Sequence, residues 1–208
     1  MPPSVSERKR EEIARAALTL FARDGYERTS VDAIAASAGV SKRTVYSHYG
    51  DKENLFYAVV RDTFDLMRRR FGELLGQMAG QVIRSGEPEK AMADCIRSTV
   101  TEVLQSGERA NLVRVVIAEL PRFPRLLDLL QNRAILPIII DQVTLLDAAG
   151  LLQAPDPEQA AGHLSALTFG QINSRSMMGT LPLSDTETDR IITSGVHVFL
   201  RAYGARQD

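Results

Sequence analysis

The sequence predicts an all-α protein with a small N-terminal three-helix domain carrying a helix-turn-helix, followed by a larger helical domain. Three observations predict it. Apolar residues recur at helical spacing through nearly the whole chain. No run of alternating β-branched and polar residues is long enough to build a sheet. Between Ser30 and Ser47 two short amphipathic segments meet at a single glycine, Gly39.

Each element has its own signals. Ser4 followed by Glu7 forms a capping-box pattern, and Ile13, Ala17, Leu20 and Phe21 then repeat until Asp24-Gly25 stops the helix, so the first helix is expected over about 6–24. Thr29 and Ser30 supply cap oxygens for a short second helix with an apolar face of Val31, Ile34, Ala35 and Ala38. Ser41 caps a third helix that ends between Tyr46 and Gly50. Asp51 caps a long fourth helix carrying Leu55, Phe56, Val59 and Val60, with its end expected near Gly76 to Gly80. Ser85-Gly86-Glu87-Pro88 breaks the chain before a stripe of Met92, Ile96, Thr99 and Val103. A helix over about 108–120 follows, ended by Pro121 to Pro124. An apolar helix or helix pair kinked at Pro137 then runs to Gly150. Pro155-Asp156-Pro157 precedes two last helices, about 157–178 and 185–204. The expected domains are 1–52 and 53–208.

Composition excludes several classes. The 208 residues are 44% hydrophobic and 25% charged, as in ordinary globular proteins rather than disordered or fibrous ones. The apolar run from Ala134 to Ile140 falls far short of the roughly 20 residues of a membrane span, so no membrane partner is expected. The polar N-terminus carries no secretory signal, which points to the cytoplasm. One cysteine, Cys95, permits no internal disulfide and no cysteine cluster for zinc; no metal and no cofactor are expected. The net charge of −1 gives no global sign of nucleic-acid binding, yet residues 1–52 hold nine basic against seven acidic side chains. An enzyme would need a nucleophile with its base, paired carboxylates or a phosphate-binding glycine loop, and none is apparent.

The chemistry lies in residues 30–47. Small Ala33, Ala35 and Ala36 with Gly39 allow two helices to cross closely, and Val40 and Val45 fix the second on the first. Its remaining face offers Ser41, Lys42, Arg43, Thr44, Tyr46 and Ser47, cations and hydroxyls suited to phosphates and base edges. His48 has only Asp51 as a nearby carboxylate, so a phosphate hydrogen bond explains it better than a metal or catalytic role. Tyr49 fits either packing or a phosphate contact.

The stretch Thr29 to Phe56, TSVDAIAASAGVSKRTVYSHYGDKENLF, closely resembles the DNA-binding region of the TetR family, over about residues 10–60. The resemblance implies a dimeric regulator that reads a pseudo-palindromic double-stranded operator, with recognition helices about 34–36 Å apart. It places Thr29, Tyr46, His48 and Lys52 on phosphates and Lys42, Arg43 and Thr44 in the groove; Arg43 stands where many relatives have glycine. The segment Arg114 to Pro124, RVVIAELPRFP, resembles the AefR-like subgroup of the family. That subgroup implies a repressor released by a small, largely apolar effector bound in the larger domain. An activator, a ligand-independent regulator and a helical interaction module without DNA binding are the alternatives.

Candidates to line an effector cavity are Met67, Phe71, Met92, Cys95, Ile96 and Thr99, with Val113, Ile117 and Phe123 further on, and then Gln142, Leu167, Gln171 and Met178. The last two helices carry more apolar residues than one face requires. Leu164, Ile172, Ile192, Val196, Phe199 and Tyr203 are therefore expected to form a twofold homodimer interface.

Overall fold

The computed structural model describes residues 4–104, 107–127, 135–179 and 181–205, with the backbone alone at 107–109. The described residues are helical, and no strand occurs among them apart from an isolated bridge between Leu152 and Gly204. They divide into two compact units, 1–66 with 108–133 and 67–107 with 134–208. Part of the helix or helix pair expected from Pro124 to Gly150 lies outside the described residues.

The first unit opens with α1 (Val5–Asp24), α2 (Val31–Ser37) and α3 (Lys42–Tyr49). The capping box at the start of α1 forms, with the Ser4 N–H donating to Glu7 Oε2 at 2.6 Å and the Glu7 N–H to Ser4 Oγ at 3.2 Å. Ile13, Ala17, Leu20 and Phe21 of α1 are buried against Val31, Ile34 and Ala35 of α2 and Val45 of α3. The long helix α4 (Lys52–Leu75) begins in this unit, and its Leu55, Phe56, Val59 and Val60 complete the same core. The first compact unit therefore reaches Leu66, beyond the division expected at Lys52, because those four side chains pack among α1 to α3. Leu112 and Val116 of α7 (Gly107–Glu119) and Phe123 also join it. Four aromatic rings meet there. Phe21 and Phe56 lie edge to face at 4.9 Å, Tyr26 stands 4.9 Å from Phe56, and Phe123 stands 5.0 Å from Tyr26.

The second unit holds the end of α4, then α5 (Met78–Ser85), α6 (Pro88–Thr99), α8 (Leu136–Ala148), α9 (Pro157–Ser165), α10 (Gln171–Arg175) and α11 (Asp185–Tyr203). Three features differ from the expected elements. The fourth helix stops at Leu75, close to the end expected at Gly76 to Gly80, but it is followed by an unexpected separate helix, α5, that buries Met78, Ala79 and Val82. Gly76 makes that break possible, since a Cβ there would lie 2.3 Å from the Gly72 carbonyl oxygen. Pro137 starts α8 rather than kinking it; in the first turn its missing N–H costs nothing. Both α6 and α9 run on into π-helical turns, Val100–Leu104 and Ala166–Gly170, so the helix expected over 157–178 is interrupted and ends at Arg175.

The side chains expected at a dimer interface are the subunit's own core. Ile192, Val196 and Phe199 are fully buried, Leu164 and Ile172 nearly so, and Tyr203 is half-buried with its hydroxyl 2.6 Å from His163 Nδ1. The apolar excess on these helices is consumed within one chain because α11 packs on both α6 and the π turn of α9. Gly195 makes the closest of these approaches. A Cβ at that position would sit 2.5 Å from the Leu167 carbonyl oxygen. Gly195→Ala is therefore expected to cost about 1–3 kcal/mol in urea unfolding, as overpacking does. Gly162→Ala, whose Cβ would meet nothing within 4 Å, is expected to be neutral or to stabilise by up to about 1 kcal/mol.

Candidate nucleic-acid interface

The helix-turn-helix is built by caps and one tight turn. Ser30 Oγ accepts from the Ala33 N–H at 3.1 Å and starts α2, and Gly39, at φ +63°, turns the chain in a conformation that side chains resist. Ser41 starts α3, its Oγ accepting from the Thr44 N–H at 3.1 Å while it also meets the Thr44 hydroxyl at 2.8 Å. Val45 is the buried residue of α3. Around it, Ser41, Lys42, Arg43, Tyr46 and Ser47 are exposed, with Thr44 and His48 partly so. Tyr46 remains 42% exposed on this face.

The cations of this face differ. Arg43 makes no ion pair among the described residues. Lys42 does: its Nζ lies 2.8 Å from Asp32 Oδ2 of α2, and that carboxylate holds the ammonium protonated above its ordinary range. Lys52 lies elsewhere. Its Nζ stands 4.2 Å above the Tyr26 ring and donates to the Glu27 carbonyl at 3.3 Å, and partial burial pushes its pKa down.

Two expected phosphate contacts are occupied inside the unit. Thr29 is 2% exposed, and its hydroxyl is shared between the carbonyls of Gly25 at 2.7 Å and Leu20 at 3.2 Å, so it anchors the α1–α2 turn and does not face solvent. Ser30 alone caps α2. Tyr49 donates its hydroxyl to the Arg10 carbonyl at 3.0 Å, its ring lies under the Arg10 guanidinium, and burial pushes its phenol up. Packing is its role in this structure. Residues missed in the sequence are Tyr26, the ring shared by Lys52 and Arg122, and Asp32, the partner of Lys42. An aromatic directly after the Gly25 turn was the available signal for the first. Nothing in the spacing pointed to the second.

The expected effector residues are drawn from both compact units. Val113, Ile117 and Phe123 belong to the first unit, where Phe123 packs on Tyr26, and Ile117 is 42% exposed. Phe71, Met92, Cys95 and Ile96 are buried in the second core with Met67 and Leu167 against it, and Thr99 is likewise buried, its hydroxyl donating to the Cys95 carbonyl at 2.9 Å. Gln142 is buried as a helix cap, its Oε1 accepting from the Ala79 N–H at 3.0 Å. Gln171 and Met178 are exposed. Phe71, Met92 and Ile96 are core residues in this structure, and Cys95 borders a surface pocket with Leu74 and Ser98.

A helix-turn-helix protein is the class this architecture defines. A family model for bacterial regulatory proteins of the tetR family matches residues 13–59, and one for the AefR-like transcriptional repressor C-terminal domain matches 92–205. The structure of a TetR-family transcriptional regulator from Mesorhizobium loti MAFF303099 superposes with a TM-score of 0.86 at 30% identity, covering 98% of this chain and 100% of that one. The flavonoid-responsive regulator FrrA superposes at 0.73 with 27% identity, covering 96% and 99%. An HTH-type transcriptional regulator of Mycobacterium tuberculosis is 30% identical over 131 residues, 63% of this chain; the match spans 57% of that relative's length. The repressor KstR2 of Mycolicibacterium smegmatis is 36% identical over 73 residues, about a third of each chain. The chain belongs to the TetR family of transcriptional regulators, a family of regulators and not of enzymes.

Burial pushes the Cys95 thiol up to about 11, and its Sγ donates to the Leu74 carbonyl at 3.4 Å. Thiolate is therefore scarce at pH 8, and native protein is expected to react with a thiol reagent at least tenfold more slowly than urea-unfolded protein. Because the folded pKa is the raised one, the stability this burial contributes is present below the ordinary thiol value and lost as pH rises through about 11. Equal labelling rates in the two states would contradict this account.

Proposed function

We propose that the protein binds double-stranded DNA as a twofold dimer, with α3 of each copy in the major groove of a pseudo-palindromic operator, and represses transcription until a small, largely apolar effector binds. The observation that carries this reading is the exposed, cationic and hydroxyl-rich face of α3, set on a helix whose other side is anchored by Val45. Arg43 and Tyr46 are the principal contacts, Arg43 to a guanine edge or a phosphate and Tyr46 to the backbone. Lys42, Thr44, Ser41 and His48 flank them. Lys52 reaches a phosphate only by leaving Tyr26, so it contributes less.

The dimer face in this reading comes from outward residues of α9 to α11. Val198, 46% exposed, and its helical neighbours Ser194 and Ala202 leave α11 a smooth face for a second copy. Repressor names among relatives and the flavonoid-responsive name of FrrA support ligand-released repression. A cavity of about 30 Å³, lined by Leu104, Ile172, Leu183, Asn173 and Ser176, offers an apolar foothold with two polar groups. An effector of ordinary size needs roughly 300–1,000 Å³, so binding would open this core and shift the population away from the DNA-binding state. No helix among the described residues is long and apolar enough to cross a membrane, and a DNA-binding role places the protein in the cytoplasm.

The reading is tested by incubating the purified protein with fragmented genomic DNA, recovering bound duplexes and repeating with Arg43→Ala/Tyr46→Ala. Enrichment of one pseudo-palindrome is expected, lost in the variant and weakened on raising salt from 50 to 200 mM, by roughly 10³-fold or more if about six phosphates are contacted. No enrichment, with or without added cell extract to supply a co-repressor, would overturn it.

A further inference from the structure

An acidic side chain sits where a DNA-binding surface is expected to carry none. Asp32 is the second residue of α2, exposed, and its carboxylate takes the ammonium of Lys42, the first residue of α3, at 2.8 Å. Lys42 is 49% exposed and Asp32 67%, so the pair lies open on the surface. A surface ion pair of this kind adds little to folding stability. Its location gives it another consequence. Any phosphate that recruits Lys42 must compete with Asp32, and the carboxylate left behind repels the polyanion.

We infer that Asp32 is a specificity-determining positioning residue: it holds the Lys42 ammonium away from indiscriminate phosphate contact, so that binding to non-operator DNA is penalised more than binding to the operator. The inference rests on the DNA-binding reading above. Non-specific binding is nearly all phosphate neutralisation, so withholding one cation and presenting one anion weakens it directly. At the operator, contacts by Arg43 and Tyr46 hold α3 in register, and Lys42 then meets a base edge or phosphate at a fixed place whose gain offsets the lost pair. Building in a repulsive element against wrong partners is a general route to specificity. Asp32 also lies in the first turn of α2, where a carboxylate favours the helix dipole, and that role alone predicts a change in stability without a change in DNA preference.

The two roles separate in one experiment. Wild type, Asp32→Asn, Asp32→Glu, Lys42→Gln and the double variant Asp32→Asn/Lys42→Gln are titrated with the selected palindrome and with a mixed-sequence duplex from 50 to 200 mM salt, and their thermal midpoints are recorded. Asp32→Asn is expected to tighten mixed-sequence binding on the order of tenfold at 50 mM salt and steepen its salt slope by about one counterion. Operator binding should change less than threefold, so the specificity ratio falls. Asp32→Glu should restore it, and Lys42→Gln should reduce the effect of Asp32→Asn at least twofold, leaving only the part due to the carboxylate's own repulsion of the phosphates. An unchanged specificity ratio in Asp32→Asn, or an equal effect with and without Lys42, would overturn the inference while the DNA-binding reading stands. Wild-type protein that binds neither duplex would overturn that reading, and this inference with it.

Discussion

The recognition helix buries one residue. An eight-residue helix is too short to hold itself together in water, and Val45 alone cannot fix its direction. The rest of the first unit supplies what α3 lacks. Ser41 organises its first turn, Gly39 and Gly50 bend the chain sharply at both ends, and the Tyr49 hydroxyl ties its last turn to the Arg10 carbonyl of α1. Beneath lies the aromatic group of Phe21, Tyr26, Phe56 and Phe123, which joins α1, α4 and the segment after α7. The exposed polar face of α3 is held in place only from behind and from the helix ends.

That constraint also explains the fate of several expected contacts. Thr29 before α2, Tyr49 at the end of α3 and Lys52 at the start of α4 each use their polar group on the protein itself. Buried hydroxyls seek carbonyls because an unpaired one is costly, and a lysine over an aromatic face recovers part of its lost hydration. Arg122, paired with Glu27 and stacked over Tyr26, belongs to the same clamp from the other side. The segment whose sequence suggested an effector domain thus helps to hold the DNA-facing one, within the same compact unit.

Much of the fold was legible because it depends on local signals. Caps at Ser4, Ser30 and Ser41, glycines at Gly25, Gly39 and Gly50, and prolines at Pro88 and Pro157 mark helix ends that involve only a few neighbouring residues. The exposed face of α3 was legible for the same reason, since a helix only eight residues long shows both sides in its sequence. What periodicity cannot show is which partner covers an apolar stripe. Leu164, Ile172, Ile192, Val196 and Phe199 looked like surplus, yet the close approach at Gly195 and the π turn beside it let α11 bury them within one chain. The separate helix α5 and the pairing of Asp32 with Lys42 escaped notice on similar grounds, because each depends on contacts with other parts of the fold.

The two units also differ in how their polar groups are used. In the second, buried polar side chains serve helices: Gln142 caps α5, and Thr99 and Thr168 return their hydroxyls to carbonyls one turn back, next to the π turns of α6 and α9. π turns often occur where a helix has been adapted for a site, and the first of these lines the small cavity through Leu104, while Ile172, in the helix that follows the second, lines it from the other side. Beyond Ile172 the chain passes through Met177 and Met178, both at positive φ and both exposed, a conformation side chains adopt only at a cost in free energy. Strain, irregular helix and cavity meet in one corner of the second unit. If an effector opens this unit, that corner is where the smallest rearrangement is required, since its backbone is already away from its lowest-energy conformation.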